Sequence, residues 1–354
     1  MTTDLLTRPG ARLWTPGDVE ILDDATRREF LAGLLAAGLL AACGGDGTDE
    51  SNGGAATPEA PATRTFVDVA GRSIDVPDRP TRIVAIHDIN AGVQLLSLGA
   101  PVIGIATRDT GAREDVTRYF DLDGIAEVGL TYEPNIEAIA ALEPDLIVGE
   151  GFDGAGMEQF MEDNVQAALE RIAPVVYIDT FRPVEGVMAD FAELVGGSAT
   201  ETVDDQASEF EEVLEELRGV LGDRWMDVTA ANVSSGDPHV VNGARATVHN
   251  DILTRLGVTW ALVVEEADSD DNGGFLELGG ERLDTLESDL LVVTTAFDQR
   301  ILDVALYQNL AVVKAGQVVT IDEPSSGTHW RNYIAAARDL LAQLEAIDLD
   351  VTLV

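Results

Sequence analysis

Alternation of apolar and polar positions opens the folded part of the chain. Phe66-Val67-Asp68-Val69 and Ile74-Asp75-Val76-Pro77 flank Ala70-Gly71-Arg72, the period-two pattern and glycine turn of a small hairpin. From Arg82 the pattern changes. Short apolar runs at Arg82–Ile86, Val102–Ala106, Leu146–Gly149 and Val175–Ile178 read as strands buried on both faces. Helical spacing fills the gaps between them: Ala91–Leu98, stopped by Gly99; Ile136–Leu142, closed by Pro144; and a segment around Met157–Ile172. Strands that alternate with helices predict a parallel sheet covered on both sides.

The alternation then breaks. A helix over Val184–Val195 is followed by a second from Thr200 to Leu221, with no strand needed between them. The second carries Val203, Ala207, Phe210, Leu214, Leu217 and Leu221 at alternating steps of four and three, opposite a face of Glu and Asp. A further strand and helix series follows at Val228–Val233, Val248–Leu256, Leu283–Leu286 with Leu290–Thr294, and Gln317–Ile321, closed by a helix from Trp330 to Ala346. The expected architecture is α/β: two lobes, each a sheet with helices on both faces, joined by one long rigid helix.

Ahead of this body the chain has a different character. The apolar run Phe30–Ala42 ends at Leu40-Ala41-Ala42-Cys43 and is followed by Gly44-Gly45-Asp46-Gly47, which reads as a lipoprotein signal with Cys43 as the lipid acceptor. A run of about 13 residues is too short to stay in a bilayer as a spanning helix, which needs about 20. Arg27 and Arg28, just before it, look like a twin-arginine export signal; whether Met1–Ala25 belongs to the leader is open. Gly44–Thr63 consists almost wholly of small, polar and acidic residues that cannot bury enough apolar surface to offset their ordering entropy. The expected organisation is a signal peptide over 1–42, a tether over 43–64, an N-terminal lobe over 65–183, linking helices over 184–222 and a C-terminal lobe over 223–354.

Charge narrows the range of partners. Asp and Glu number 64 against 22 Lys and Arg, a net charge of −42 over 354 residues, and Lys314 is the only lysine. Such a surface repels phosphate backbones, so nucleic acid is excluded as a partner, and it suits a saline exterior. Once lipidated, Cys43 leaves no thiol for catalysis or zinc. The four histidines, His87, His239, His249 and His329, lack metal-site spacing. No nucleophile elbow, zinc motif or carboxylate pair points to an enzyme, and no cofactor is expected.

Asp68-x-x-Gly71-Arg72-x-Ile74-x-Val76-Pro77-x-x-Pro80-x-Arg82-Ile83-Val84, then Leu98-Gly99-Ala100-Pro101-Val102-x-Gly104, resembles the opening of the iron-siderophore binding proteins of ABC importers. Pro134-Asn135-Ile136-Glu137-Ala138-Ile139 running into Leu142-x-Pro144-Asp145-Leu146-Ile147 is similar to the same family. So are Leu253-x-Arg255-Leu256-Gly257, Glu281-Arg282-Leu283 and Leu310-Ala311-Val312-x-Lys314-Ala315-Gly316-Gln317-Val318. The likeness covers about residues 65–346. It implies a receptor, without catalysis, that holds one ferric chelate in a cleft between lobes. The receptor would deliver its ligand to an ABC permease driven by an ATPase partner. Cobalamin or haem on the same scaffold, and a tethered sensor without transport, remain alternatives.

The resemblance also implies roles for particular residues. Glu137 and Glu281 match the glutamates that dock each lobe on permease arginines, where carboxylate–guanidinium pairing fixes orientation. For the ligand, planar arginine donors suit chelate oxygens, and Arg108 and Arg245 are candidates, with Arg300 and Arg331 weaker ones. For each, pairing with a neighbouring carboxylate is the competing reading. Tyr132, Phe297 and Trp330 are placed at the cleft rim as aromatics with one apolar face. His87 and Asp88, after the first core strand, could face the cleft or serve as ordinary loop residues.

Overall fold

The computed structural model describes residues 62–347 apart from 109–115, 153, 163, 270–273, 297 and 323–326. Arg27, Arg28, Cys43 and Phe297 therefore lie outside the described residues. Ala60–Val354 forms one compact unit.

The first hairpin pairs β1 (Thr63–Val67) with β2 (Ser73–Pro77) antiparallel, and Gly71 takes the positive φ of 71° that the turn needs. A seven-stranded sheet follows, built from β3 (Ile83–Ala85), β4 (Val102–Thr107), β5 (Ala126–Leu130), β6 (Glu133–Pro134), β7 (Leu146–Phe152), β8 (Ala155–Gly156) and β9 (Val175–Asp179). Its order is β6-β5-β4-β3-β7-β8, with β9 also on β7, and β3, β4, β5, β7 and β9 run parallel. Short helices connect them: α1 (Val93–Ser97), α2 (Ile136–Ala141) and α3 (Val165–Leu169).

The helix expected over Met157–Ile172 is corrected. It divides into a 3-10 turn at Met157–Phe160 and α3, because Met161 adopts an extended backbone, φ −94° and ψ 163°, that ends the turn. Met157, Met161 and Leu169 are nonetheless buried together under the sheet, with Val165 packed against them. The spacing of four reported which residues go inward, and the chain meets it without a continuous helix.

Two helices cross from this sheet to the next. α4 (Val184–Val195) and α5 (Ala199–Leu221) each stop at a glycine, Gly196 with φ 70° and Gly222 with φ 59°. Phe210, Val213, Leu214 and Leu217 of α5 are buried, while its acidic face is wet.

The second sheet comprises β10 (Thr229–Ser234), β11 (His239–Asn242), β12 (Thr259–Trp260), β13 (Phe275–Leu278), β14 (Leu290–Thr294) and β15 (Val318–Ile321) in the order β13-β11-β10-β14-β15, with β12 also on β10. β10, β12, β14 and β15 are parallel, and β11 is antiparallel to both neighbours. On one face lie α6 (Val248–Leu256) and α10 (Trp330–Glu345). On the other lie α7 (Leu262–Ala267), α8 (Ala305–Asn309) and α9 (Ala311–Ala315), around an apolar group that includes Val233, Val264, Leu283 and Val312.

A single apolar core runs from the first sheet through α4, α5 and α10 into the second: Ile83, Val148, Phe191, Phe210, Leu290 and Trp330 belong to it together. Polar ties reinforce it. Arg255 on α6 donates to both carboxylate oxygens of Glu185 on α4, at 2.6 and 3.2 Å, and Gln206 on α5 donates to the Ser97 carbonyl at 2.9 Å. Just before α10, Gly327 sits so close to Ile89 that a Cβ there would come 2.1 Å from the Ile89 carbonyl oxygen. Only glycine fits at that contact.

Candidate functional site

In the first sheet the chain builds outward from β3 to β4 and β5, then returns to lay β7 on the other side of β3. Open α/β sheets bind ligands beyond the carboxyl ends of their strands at such a reversal. Here β3 runs into Ile86-His87-Asp88, and Glu150 lies near the end of β7.

These groups form one buried network. His87 Nε2 stands 3.5 Å from Glu150 Oε1. Glu150 also accepts from Asn90 Nδ2 at 2.5 Å and from the Tyr132 hydroxyl at 2.9 Å. Asp88, with no exposed side-chain surface, accepts from Arg108 Nε at 3.0 Å and from the Ile89 amide at 2.9 Å. Burial alone pushes the Asp88 carboxyl up, but hydrogen bonding with His87 and the Arg108 charge outweigh it and hold the group below the usual carboxylate range. His87 Nδ1 is 3.2 Å from both the Asn90 amide nitrogen and Asp88 Oδ1, so it accepts from the amide when it bears no hydrogen and donates to the carboxylate when it does.

Beside the network lies a run of four aromatic rings, three of them exposed and Phe152 partly so. Phe152, at the end of β7, stacks on Phe160 at 5.6 Å and 18°; Tyr132 meets Phe160 edge-on at 5.7 Å, and Phe181 meets Phe152 edge-on at 5.8 Å. Tyr132, Phe160 and Phe181 are 42%, 52% and 69% exposed. Apolar rings clustered in water at strand ends mark a contact surface.

The second sheet reverses between β10 and β14, and the ends of these strands open on a cavity of about 350 Å³. Ser234, Thr294 and Ile321 line its sheet side, Asn332, Ala336 and Asp339 its α10 side, with Thr247, His249 and Asn250 at the start of α6 and Arg118 and Tyr119 from the first half of the chain. Its floor is polar and tied: Asn232 and Asn242 exchange hydrogen bonds at 2.7 and 2.8 Å, and Asn250 donates to the Gly243 carbonyl at 2.9 Å. Burial lowers His249 to about 4, so it is neutral at ordinary pH.

The residues nominated from sequence are distributed as follows. Arg108 and Tyr132 come together with His87 and Asp88 in the network of the first sheet. Arg245 is exposed and paired to Asp251 at 3.0 Å. Arg300 pairs with Asp298 at 2.7 Å and Asp237 at 3.0 Å. Arg331 is exposed, with its guanidinium 5.5 Å above the Phe120 ring.

Trp330 is corrected. It is 2% exposed and packs on Phe210 at 5.4 Å and Tyr333 at 5.9 Å, in the base joining α5 and α10 and away from any rim. Its position on the apolar stripe of α10 is the reason.

Glu137 and Glu281 are both exposed, each in the first turn of its segment, α2 and the 3-10 turn Gly280–Leu286. Sequence reading missed Glu150, Phe152, Phe160, Phe181 and His249. Glu150 and Phe152 had a signal, since both extend the Leu146–Gly149 run past its apolar end.

Among the described residues no group of three or more His, Cys, Asp or Glu side chains is placed to hold a metal ion, and no helix is long and apolar enough to cross a membrane.

Comparison with known proteins adds to this geometry. The chain is 29% identical over 213 residues to the probable siderophore-binding lipoprotein YfiY of Bacillus subtilis, covering 58% of this chain and 60% of that relative's length. It is 23% identical over 295 residues to the Fe(3+)-citrate-binding protein YfmC of the same organism, covering 80% of this chain and 87% of the relative. Among solved structures, the siderophore periplasmic binding protein from the fuscachelin gene cluster of Thermobifida fusca superposes with a TM-score of 0.58 at 26% identity, covering 76% of this chain and 96% of that one. Residues 83–324 match the periplasmic binding protein family, and the two-sheet body bridged by α5 has the fold of such proteins, so this chain is a member of that family.

Proposed function

We propose that this chain is a membrane-tethered extracytoplasmic receptor that binds a ferric siderophore and delivers it to an ABC permease and its ATPase. The observation that carries the reading is the aromatic run from Tyr132 to Phe181 beside Arg108, exposed at the carboxyl ends of the first sheet in a family of binding proteins. The relatives' names, a probable siderophore-binding lipoprotein and an Fe(3+)-citrate-binding protein, support the same ligand class.

Glu137 and Glu281 are the permease contacts in this reading. Both are exposed, and among the described residues neither has a hydrogen bond or ion pair from its side chain that would hold it back from a partner's arginine. Cys43 supplies the lipid anchor after export through the Arg27-Arg28 signal, and the relative YfiY is itself named a lipoprotein.

The test is a titration of the purified chain with ferric siderophores and their iron-free forms, followed by tryptophan fluorescence. Saturable submicromolar quenching by a ferric form, and none by its iron-free partner, is expected. Silence across the panel from a folded protein would remove the receptor reading.

A further inference from the structure

Two described guanidinium groups at the carboxyl end of the first sheet are already paired with carboxylates. Arg108 is spent on buried Asp88, and Arg182, next to Phe181, pairs with both Asp179 and Asp190. Glu150 accepts from the Tyr132 hydroxyl and Asn90, and among the described residues it pairs with no guanidinium. Among the described residues the aromatic run thus has four carboxylates, Asp88, Glu150, Asp179 and Asp190, against two guanidinium groups. The rings add to the bias, because an aromatic face carries negative quadrupole density that attracts cations and repels anions. Arg331 stands over the Phe120 ring at 5.5 Å.

We propose that the chelate held on this face carries no net negative charge: a ferric hydroxamate-type complex, neutral or with a pendant ammonium group. A ferric tris-catecholate, with three negative charges, would meet rings and carboxylates with, among the described residues of this face, only guanidinium groups that already pair with carboxylates to offset its lost hydration. A neutral trihydroxamate brings methylene chains to lie along Phe152, Phe160 and Phe181, and an ammonium tail finds both a ring face and a carboxylate. The inference rests on the ferric-chelate reading above and narrows it to one charge class.

The test compares three iron complexes on the purified full chain at one ionic strength, so that screening is common to all. They are ferrioxamine B, with one positive charge; its N-acetylated derivative, with none; and ferric enterobactin, with three negative charges. Ferrioxamine B and its derivative are expected to bind within about tenfold of each other, and ferric enterobactin at least 100-fold more weakly. Enterobactin binding as tightly as ferrioxamine B would overturn the charge assignment alone. No binding by any of the three would overturn the receptor reading as well. Phe181→Ala, at a ring 69% exposed and so removable without unfolding the protein, should weaken ferrioxamine B at least tenfold. An unchanged affinity in that variant would overturn the placement of the chelate on this face.

Discussion

The Tyr132 hydroxyl donates to Glu150 Oε1 across 2.9 Å and ties the turn after β5 to the end of β7. Burial first, then the hydrogen bond and the negative charge of Glu150, push the Tyr132 phenol up to about 12. Because the folded value lies above the ordinary one of 10, the fold is favoured by the neutral phenol, and that contribution is present below pH 10 and lost between 10 and 12. Replacing Glu150 by Gln removes the charge, so Tyr132 should ionise at lower pH. Ultraviolet titration of Glu150→Gln against wild type, with Tyr132→Phe to identify the signal, reads this directly. An unshifted titration would mean that the carboxylate does not act on the phenol.

His249 gives a prediction of opposite sign. Its ring lines the cavity and is only partly exposed, and burial lowers it to about 4 from an ordinary 6.5. A histidine held neutral in the fold stabilises above pH 6.5, and the contribution is lost as pH falls towards 4. The upper limit is about 3 kcal/mol, from the size of the shift, and water in the cavity reduces it. Urea melts at pH 4.5 and 7 should show a smaller acid-side loss for His249→Asn than for wild type. Equal losses would place the ring in open solvent.

How far the sequence carried this account depends on the range of the interactions involved. α4 and α5 were legible nearly to the residue because their burial repeats locally, as Phe210, Leu214 and Leu217 show. Trp330 was also legible in principle: it begins a stripe continued by Ile334, Ala337 and Leu344, all buried, and its polar tip drew attention away from that spacing. β11 and β13 were missed because both are short, and their pairing is settled by distant strands, β11 on β10 and β13 on β11. The site was less legible still. Arg108 and Asp88 are 20 positions apart, and only the adjacency of β3 and β4 shows that the arginine is already neutralised.

Asp251 is a test of what binds the two halves of the body. On α6 it accepts from Arg255 at 2.8 Å, Arg245 at 3.0 Å and the Tyr333 hydroxyl at 3.2 Å, while Arg255 reaches on to Glu185. Asp251→Ala leaves Arg255 enclosed without its buried partner, and should cost about 3 kcal/mol in chemical denaturation. Glu185 is half exposed, so Glu185→Ala should cost no more than about 1 kcal/mol. The ordering of the two variants checks the argument: a larger loss at Glu185 would shift the weight of the tie from the buried carboxylate to the exposed one.

In the proposed reading, Glu137 and Glu281 serve transport and not binding. Each follows the outermost stretch of its sheet, after β6 and after β13, and lies exposed in the first turn of a helical segment. Neither lies in the strand-end network or on the cavity wall. Reversing both charges, Glu137→Arg with Glu281→Arg, should leave the affinity for the ferric chelate within twofold and cut cellular iron uptake at least tenfold, since arginine would face arginine on the permease. Either single reversal should fall between wild type and the double, because one lobe would still pair. Uptake and affinity measured on the same variants decide the matter: uptake unchanged in the double variant would remove both glutamates from the docking surface, and affinity lost along with uptake would place them on the ligand.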